Sequence, residues 1–272
     1  MEFLIKPKGK FNIGLQELVE YKELFYFFTW RDIKVKYKQT AFGFLWAVLQ
    51  PLFMTLVFSF FLGSSIKQQS DLLMPYPIFA LSGMLLWIAF SNGLSNASNS
   101  MVNNANIIKK IYFPRLIIPI SAILVALFDF FISLFVFFIF CWIYKTSLKW
   151  EAILFMPLSV LMVSFAAIGG GTFLAAINIK YRDVRYAIPF FLQGLLFVTP
   201  VLYPVNFAKN EAIQLLLKLN PISGPLEILR ASFSNQVINI ETVLLSALTS
   251  GVLFITGVVY FRKTESYFAD LA

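Results

Sequence analysis

The sequence predicts an all-α polytopic membrane protein with six transmembrane helices, and three observations carry that reading. Of 272 residues, 59% are hydrophobic and only 13% are charged, against about 45–50% and about 25% in soluble globular domains. Mean hydropathy is +0.77. The 22 Lys and Arg residues gather between long apolar runs and leave the runs themselves free of positive charge.

A helix that crosses a bilayer needs about 20 mostly apolar residues. Six stretches qualify: 43–66, 76–97, 116–144, 152–178, 187–203 and 242–261. The fifth is the shortest and carries Pro189 and Pro200 near its ends. Charges run through the first 40 residues with no apolar core of a signal peptide, so no cleavable leader is expected. The chain therefore divides into an N-terminal segment (1–42), a six-span domain (43–261) and a short tail (262–272).

Orientation follows from the excess of Lys and Arg on the cytoplasmic side. Sixteen of them fall in residues 1–42, in the connectors after the second and fourth spans and in the tail, and six fall in the other loops. Both termini are expected in the cytoplasm. The N-terminal segment reads as an amphipathic helix, with Leu15, Leu18, Val19, Phe25 and Tyr26 on one face and Gln16, Glu20 and Glu23 on another. Such a helix lies in the membrane interface or packs on a soluble partner, and both readings stay open. Before the last span, two apolar patches at 212–219 and 225–233 are too short to cross. Separated by the turn-forming stretch NPISGP, they are expected to be re-entrant or interfacial helices within about 204–240.

Composition excludes much chemistry. There is no His and a single Cys, Cys141, which leaves no disulfide framework, His/Cys metal centre or His-based triad. A phosphate-binding loop needs a Gly-Lys-Ser/Thr ending. Lys10 alone follows a Gly, and Phe11 comes next. No metal, cofactor or nucleotide site of its own is expected, nor any enzymatic activity. The Gly169-Gly170-Gly171 run reads as helix packing, with Ala167, Gly171 and Ala175 forming a small-residue ridge.

Asp129 is the one acidic residue well inside a span, and an intramembrane carboxylate is a functional candidate by default. Without His or a second carboxylate nearby, a structural or substrate-polar role is favoured over proton coupling. The connector 98–115 lacks acidic residues and carries Ile107 and Ile108 ahead of Lys109 and Lys110. It reads equally as a docking helix for a soluble protein or as an ordinary positive loop. Phe190, Gly194 and Phe197 share one helical face, where aromatic rings offer a path for sugars.

Four blocks carry a resemblance. RDIKVKYKQTAFGFLWAVLQPL (31–52), KKIYFPRLIIPIS (109–121), NIKYRDVRYAIPFFLQGLLFVTPVLYP (178–204) and LNPISGPLEILRASF (219–233) are similar in type and order to permease subunits of type-two ABC exporters. The likeness is strongest to the branch that exports O-antigen, capsular polysaccharide and teichoic acid. It implies a homodimer in the bacterial inner membrane around a path for a lipid-linked glycan, with two separate ATPase subunits that bind the ATP. It further implies ATPase contacts from the N-terminal helix (Leu15, Leu18, Val19) and from the connector (Met101, Asn104, Ile107, Ile108, Lys109, Lys110), and a path lined partly by aromatics, for which Phe190 and Phe197 by their shared face and Asp129 by its place inside a span are the candidates. The same fold serving a teichoic acid or a small hydrophobic compound is the nearest alternative, and a membrane glycosyl or acyl transferase is a more distant one. An ion channel is disfavoured, because the spans hold no ring of charges.

Overall fold

The computed structural model describes residues 15–265 and 268, except 39, 41, 70–71, 147–148, 182 and 235. Among them eleven α-helices follow one another: α1 (Leu15–Glu20), α2 (Lys22–Lys38), α3 (Leu45–Gln69), α4 (Tyr76–Asn103), α5 (Ala105–Ile108), α6 (Ile117–Ile143), α7 (Ala152–Lys180), α8 (Val184–Val198), α9 (Glu211–Lys218), α10 (Ser223–Ala231) and α11 (Ile240–Thr264). Five of them, α3, α4, α6, α7 and α11, are long and apolar enough to cross a membrane. The predicted fifth span is the shorter α8, whose 15 residues reach about 22 Å, less than the roughly 30 Å of a hydrocarbon core.

α8 stops early because Pro200 cannot continue it, and Val201 and Leu202 instead turn inward and are buried. The side chain of Arg230 on α10 secures this turn. Its guanidinium donates to the carbonyls of Pro200 (3.0 Å) and Val201 (2.5 Å) and lies 3.5 Å from the centroid of the Phe79 ring. Arg230 lies within the short apolar patch 225–233 and is only 3% exposed. The two short helices expected before the last span are present as α9 and α10. α10 is buried against α7 and α11.

α4 is the centre of the bundle, packed by α3, α6, α7, α8 and α10, while α7 separates it from α11. Hydroxyls inside the bundle bond back along their own helices, as Ser82 does to Phe79 and Ser100 to Ala97. This satisfies them where no water reaches. Others join helices: Ser133 on α6 donates to Ala47 on α3, and Ser159 on α7 to Pro225 on α10. The glycine run packs as predicted. Gly171 meets Ala97 of α4, while Gly169 and Gly257 bring the backbones of α7 and α11 into direct contact.

A second core closes one end of the bundle. Phe28 of α2, Met101 of α4, Ile108 of α5, Phe113, Leu116, Ile179 and Phe261 bury one another there. The chain enters and leaves the bundle at this end, where Glu265 accepts from the backbone N–H of Arg115 at 3.0 Å.

The N-terminal helix departs from expectation. It breaks at Tyr21 and continues to Lys38, well beyond the predicted apolar face. Val19 and Tyr26, assigned to that face, are exposed, whereas Phe28 and Ile33 are the residues buried on α2. α2 is apolar on two sides. One packs on α6, and the other shows Tyr26, Phe27, Trp30 and Val35 outward.

Candidate functional site

Three contacts fasten α2 along the bundle. Phe28 packs on Phe113 with ring centroids 5.6 Å apart and planes tilted by 34°. Arg31 donates to Asn104 Oδ1 at 2.9 Å and pairs with Asp32. Farther along, the Lys36 ammonium and the Tyr37 hydroxyl both close on the Asp129 carboxylate of α6. Burial, together with the hydrogen bond to Asp129, holds the Tyr37 hydroxyl above the usual tyrosine range, so it stays a donor. Asp129 is 6% exposed, and its two oxygens are taken up by α2. The contact fits the structural side of the role expected for Asp129, because it ties α2 to α6. Lys36 and Tyr37 escaped notice because they belong to the charged N-terminal segment, far from the third span in sequence.

The predicted docking residues separate into two layers. Val19, Lys109 and Lys110 are exposed, and Leu18, Asn104 and Ile107 are half-buried. Met101 and Ile108 lie in the core shared with Phe28, which corrects their assignment as partner contacts. Met101 follows Ala97 by one turn on the packed face of α4 and is fully enclosed. The expected surface continues instead through Ile111 and Tyr112, 62% and 78% exposed. Leu15 lies on α1, and its side chain is outside the described residues. The exposed cations and apolar side chains form a surface, and the buried ones tie it to α2, α4 and α6.

Phe190 and Phe197 project from α8, along with Tyr186, Phe191 and Val198. Ile188 is the buried residue of that helix, and Gly194 opens onto free space. One long face of α8 is therefore aromatic and uncovered.

Between α2, α4, α5, α6 and α8 lies a cavity of about 950 Å³. Asn96, Asn99 and Asn103 of α4 line it, with Arg31 and Lys36 from α2, Asn104, Asn106 and Ile107 from the α5 region, and Arg185 from α8. A small void of about 90 Å³ beside it holds Asn92, Gln50, Ser133 and Asp129, with Lys36 on the wall of both. Asn92, Asn96, Asn99 and Asn103 repeat at 4-3-4 spacing, which puts four carboxamides on one helical face. That spacing was readable from the sequence, but the stripe was split between the second span, which holds Asn92 and Asn96, and the connector after it, which holds Asn99 and Asn103. No group of three or more metal-binding side chains occurs among the described residues.

Comparison with known proteins agrees with this architecture. The family model described as ABC-2 type transporter matches residues 23–234. An O-antigen export system permease protein RfbA of Klebsiella pneumoniae is 27% identical over 266 residues, covering 97% of this chain and 98% of the relative. A second Klebsiella pneumoniae protein of that name is 26% identical over the same length. A Myxococcus xanthus protein of that name is 28% identical over 258 residues, 94% of this chain and 98% of the relative. The chain belongs to the ABC-2 type transporter family and is a multi-pass membrane component of a transport system that works with an ATPase.

Proposed function

We propose that this chain is the permease of an ATP-driven exporter that moves a lipid-linked polysaccharide, O-antigen-like or capsular, across the bacterial inner membrane. The observation that carries the reading is the end-to-end similarity to three O-antigen export permeases, with 94–97% of this chain aligned. The permease acts as a homodimer with two copies of a separate ATPase, both termini face the cytoplasm, and the ATP is bound and split by the partner. Absence of a phosphate-binding loop from the sequence supports that division of labour.

Coupling follows from how the surface is anchored. The ATPase meets α1, α2 and the segment from Asn104 to Tyr112. Because Phe28, Arg31 and Lys36 fix α2 to Phe113, Asn104 and Asp129, a push on that surface moves α2, α5 and α6 together. α4 follows through the core around Met101. ATP binding shifts the permease between states by favouring the arrangement in which the two ATPases meet. The path for the glycan runs between the two permease copies, past the aromatic face of α8.

The test replaces Lys109, Lys110, Ile111 and Tyr112 together by Ser, leaving the buried Ile108 in place. The expected outcome is an inserted permease with unchanged thermal stability that no longer co-purifies with the neighbouring ATPase or supports export. Normal export by this variant rejects the docking assignment. Failure of the wild-type pair to move any labelled glycan into vesicles rejects the function itself.

A further inference from the structure

We propose that the asparagine-lined cavity is a receptor for a phosphate-linked sugar headgroup, with the phosphate held by cations and the sugar read by carboxamides. The inference rests on the exporter reading above and specifies which part of the cargo this end of the bundle recognises. The cavity of about 950 Å³ lies at the upper end of the range for small-ligand sites, about 300–1,000 Å³. Its wall carries three cations, Arg31, Lys36 and Arg185, and one carboxylate, Asp32, so it holds an excess of positive charge.

The three cations are not equivalent. Arg31 is paired with Asp32 and Asn104, and Lys36 with Asp129. Arg185 has no hydrogen-bonding or ionic partner among the described residues and is exposed. A guanidinium in that position is suited to bidentate phosphate binding. Asn96 and Asn103 of α4 line the same cavity and are exposed. Each offers two donors and an acceptor group, the complement of vicinal sugar hydroxyls. Asn99 is held in register by the Nδ2 of Asn178, 3.2 Å from its Oδ1.

Place in the fold strengthens the assignment. The cavity borders α2, which carries Val35 on its wall and shows Tyr26, Phe27 and Trp30 outward, a composition suited to the lipid interface where a headgroup resides. Asn104 and Ile107, which form part of its wall, also belong to the proposed coupling surface. A headgroup in the cavity therefore touches the element that meets the ATPase.

Binding is measured on the full-length permease in nanodiscs, with a polyprenyl diphosphate disaccharide as the probe. Bare polyprenyl diphosphate, inorganic diphosphate and the free disaccharide serve as separate competitors. Arg185→Gln is expected to weaken probe affinity about tenfold, the loss of one charge-assisted contact. Asn96→Leu with Asn103→Leu removes the preference for the sugar-bearing lipid over the bare one. Lys209→Gln, an exposed cation at the opposite end of the bundle, leaves affinity unchanged. All three side chains changed in the cavity are exposed, so thermal midpoints should stay at the wild-type value.

Equal affinity in wild type, Arg185→Gln and the double Asn variant overturns the proposal. So does competition by inorganic diphosphate as strong as by the lipid probe, which assigns the site to a free anion. Wild-type export with binding indifferent to Arg185 removes this inference and leaves the functional reading standing. Arg185-dependent binding without any glycan export does the reverse.

Discussion

Lys36 of α2 and Asp129 of α6 form an ion pair across 93 positions of sequence. The pair is asymmetric: the Asp129 side chain is 9% exposed and that of Lys36 is 40% exposed. Removing the cation strands a buried carboxylate, whereas removing the carboxylate lets the ammonium turn to water. Lys36→Met is expected to destabilise the protein by about 3 kcal/mol. Asp129→Asn keeps an acceptor for Tyr37 and is expected to lose about 1–2 kcal/mol. The double variant Lys36→Met/Asp129→Asn should recover most of the larger loss. Thermal unfolding of the four proteins in detergent gives the coupling energy, and simple additivity would show that the contact does not hold α2.

Arg230 makes a contrasting prediction, because nearly all of its side chain is inside the bundle. The guanidinium serves the Pro200 and Val201 carbonyls while lying over the Phe79 ring. A lysine ammonium cannot reproduce that planar fork. Arg230→Lys is expected to lose about 2–4 kcal/mol, from unsatisfied carbonyls and lost stacking. Lys218→Gln, which breaks the bridge to a Glu241 that is 60% exposed, should change stability by less than about 1 kcal/mol. Equal melting temperatures for the two variants would remove Arg230 from its anchoring role.

These two residues show what was legible in the sequence. The long apolar runs were, because bilayer thickness sets helix length, and α3, α4, α6, α7 and α11 lie where those runs do. Asp129 stood out as a charge in an apolar run, yet its partner Lys36 lies 93 positions away in the charged N-terminal segment. Pro200 marks where α8 stops, but the inward turn that follows rests on Arg230 reaching back 30 positions to the Pro200 carbonyl, a contact that no local pattern encodes. Met101 and Ile108 were legible as apolar, but which side of the connector they faced was decided by packing against Phe28 and Phe113. The asparagine stripe was fully written in its spacing and was passed over because the boundary between the second span and its connector divided it in two.

The contact between α7 and α11 has no room for a side chain at Gly257, where an added methyl would overlap the Gly169 carbonyl. Gly257→Ala therefore forces the helices apart and is expected to lose about 1–3 kcal/mol. Gly251, six residues earlier on α11, has nothing within 4 Å of the same position. Gly251→Ala should be neutral or stabilising by up to about 1 kcal/mol through helix propensity. Thermal midpoints of the pair decide the point: a harmless Gly257→Ala means the two helices do not touch there.

The uncovered face of α8 gives the most direct test of the dimer. Tyr186, Phe190 and Phe197 are 79%, 74% and 61% exposed, and they point the same way as the open space beside Gly194. Two occupants compete for such a surface: lipid, or the second copy across the glycan path. The native Cys141 is buried, so Cys141→Ala gives a background without interfering thiols. Single cysteines are then placed at 186, 190 and 197, with Ile188→Cys as the buried control. Disulfides form only where Cα atoms approach within about 7 Å, and short bifunctional maleimides extend that reach. In native membranes, oxidation or maleimide treatment should convert at least one of the three exposed variants to a species of twice 31.0 kDa, and leave the control unchanged. Because ATP binding brings the two ATPases together and so shifts the permease between states in the proposed mechanism, trapping ATP on the partner should change the yield at 190 and 197 in step. Three variants that stay monomeric under both treatments put lipid against this face and move the path elsewhere.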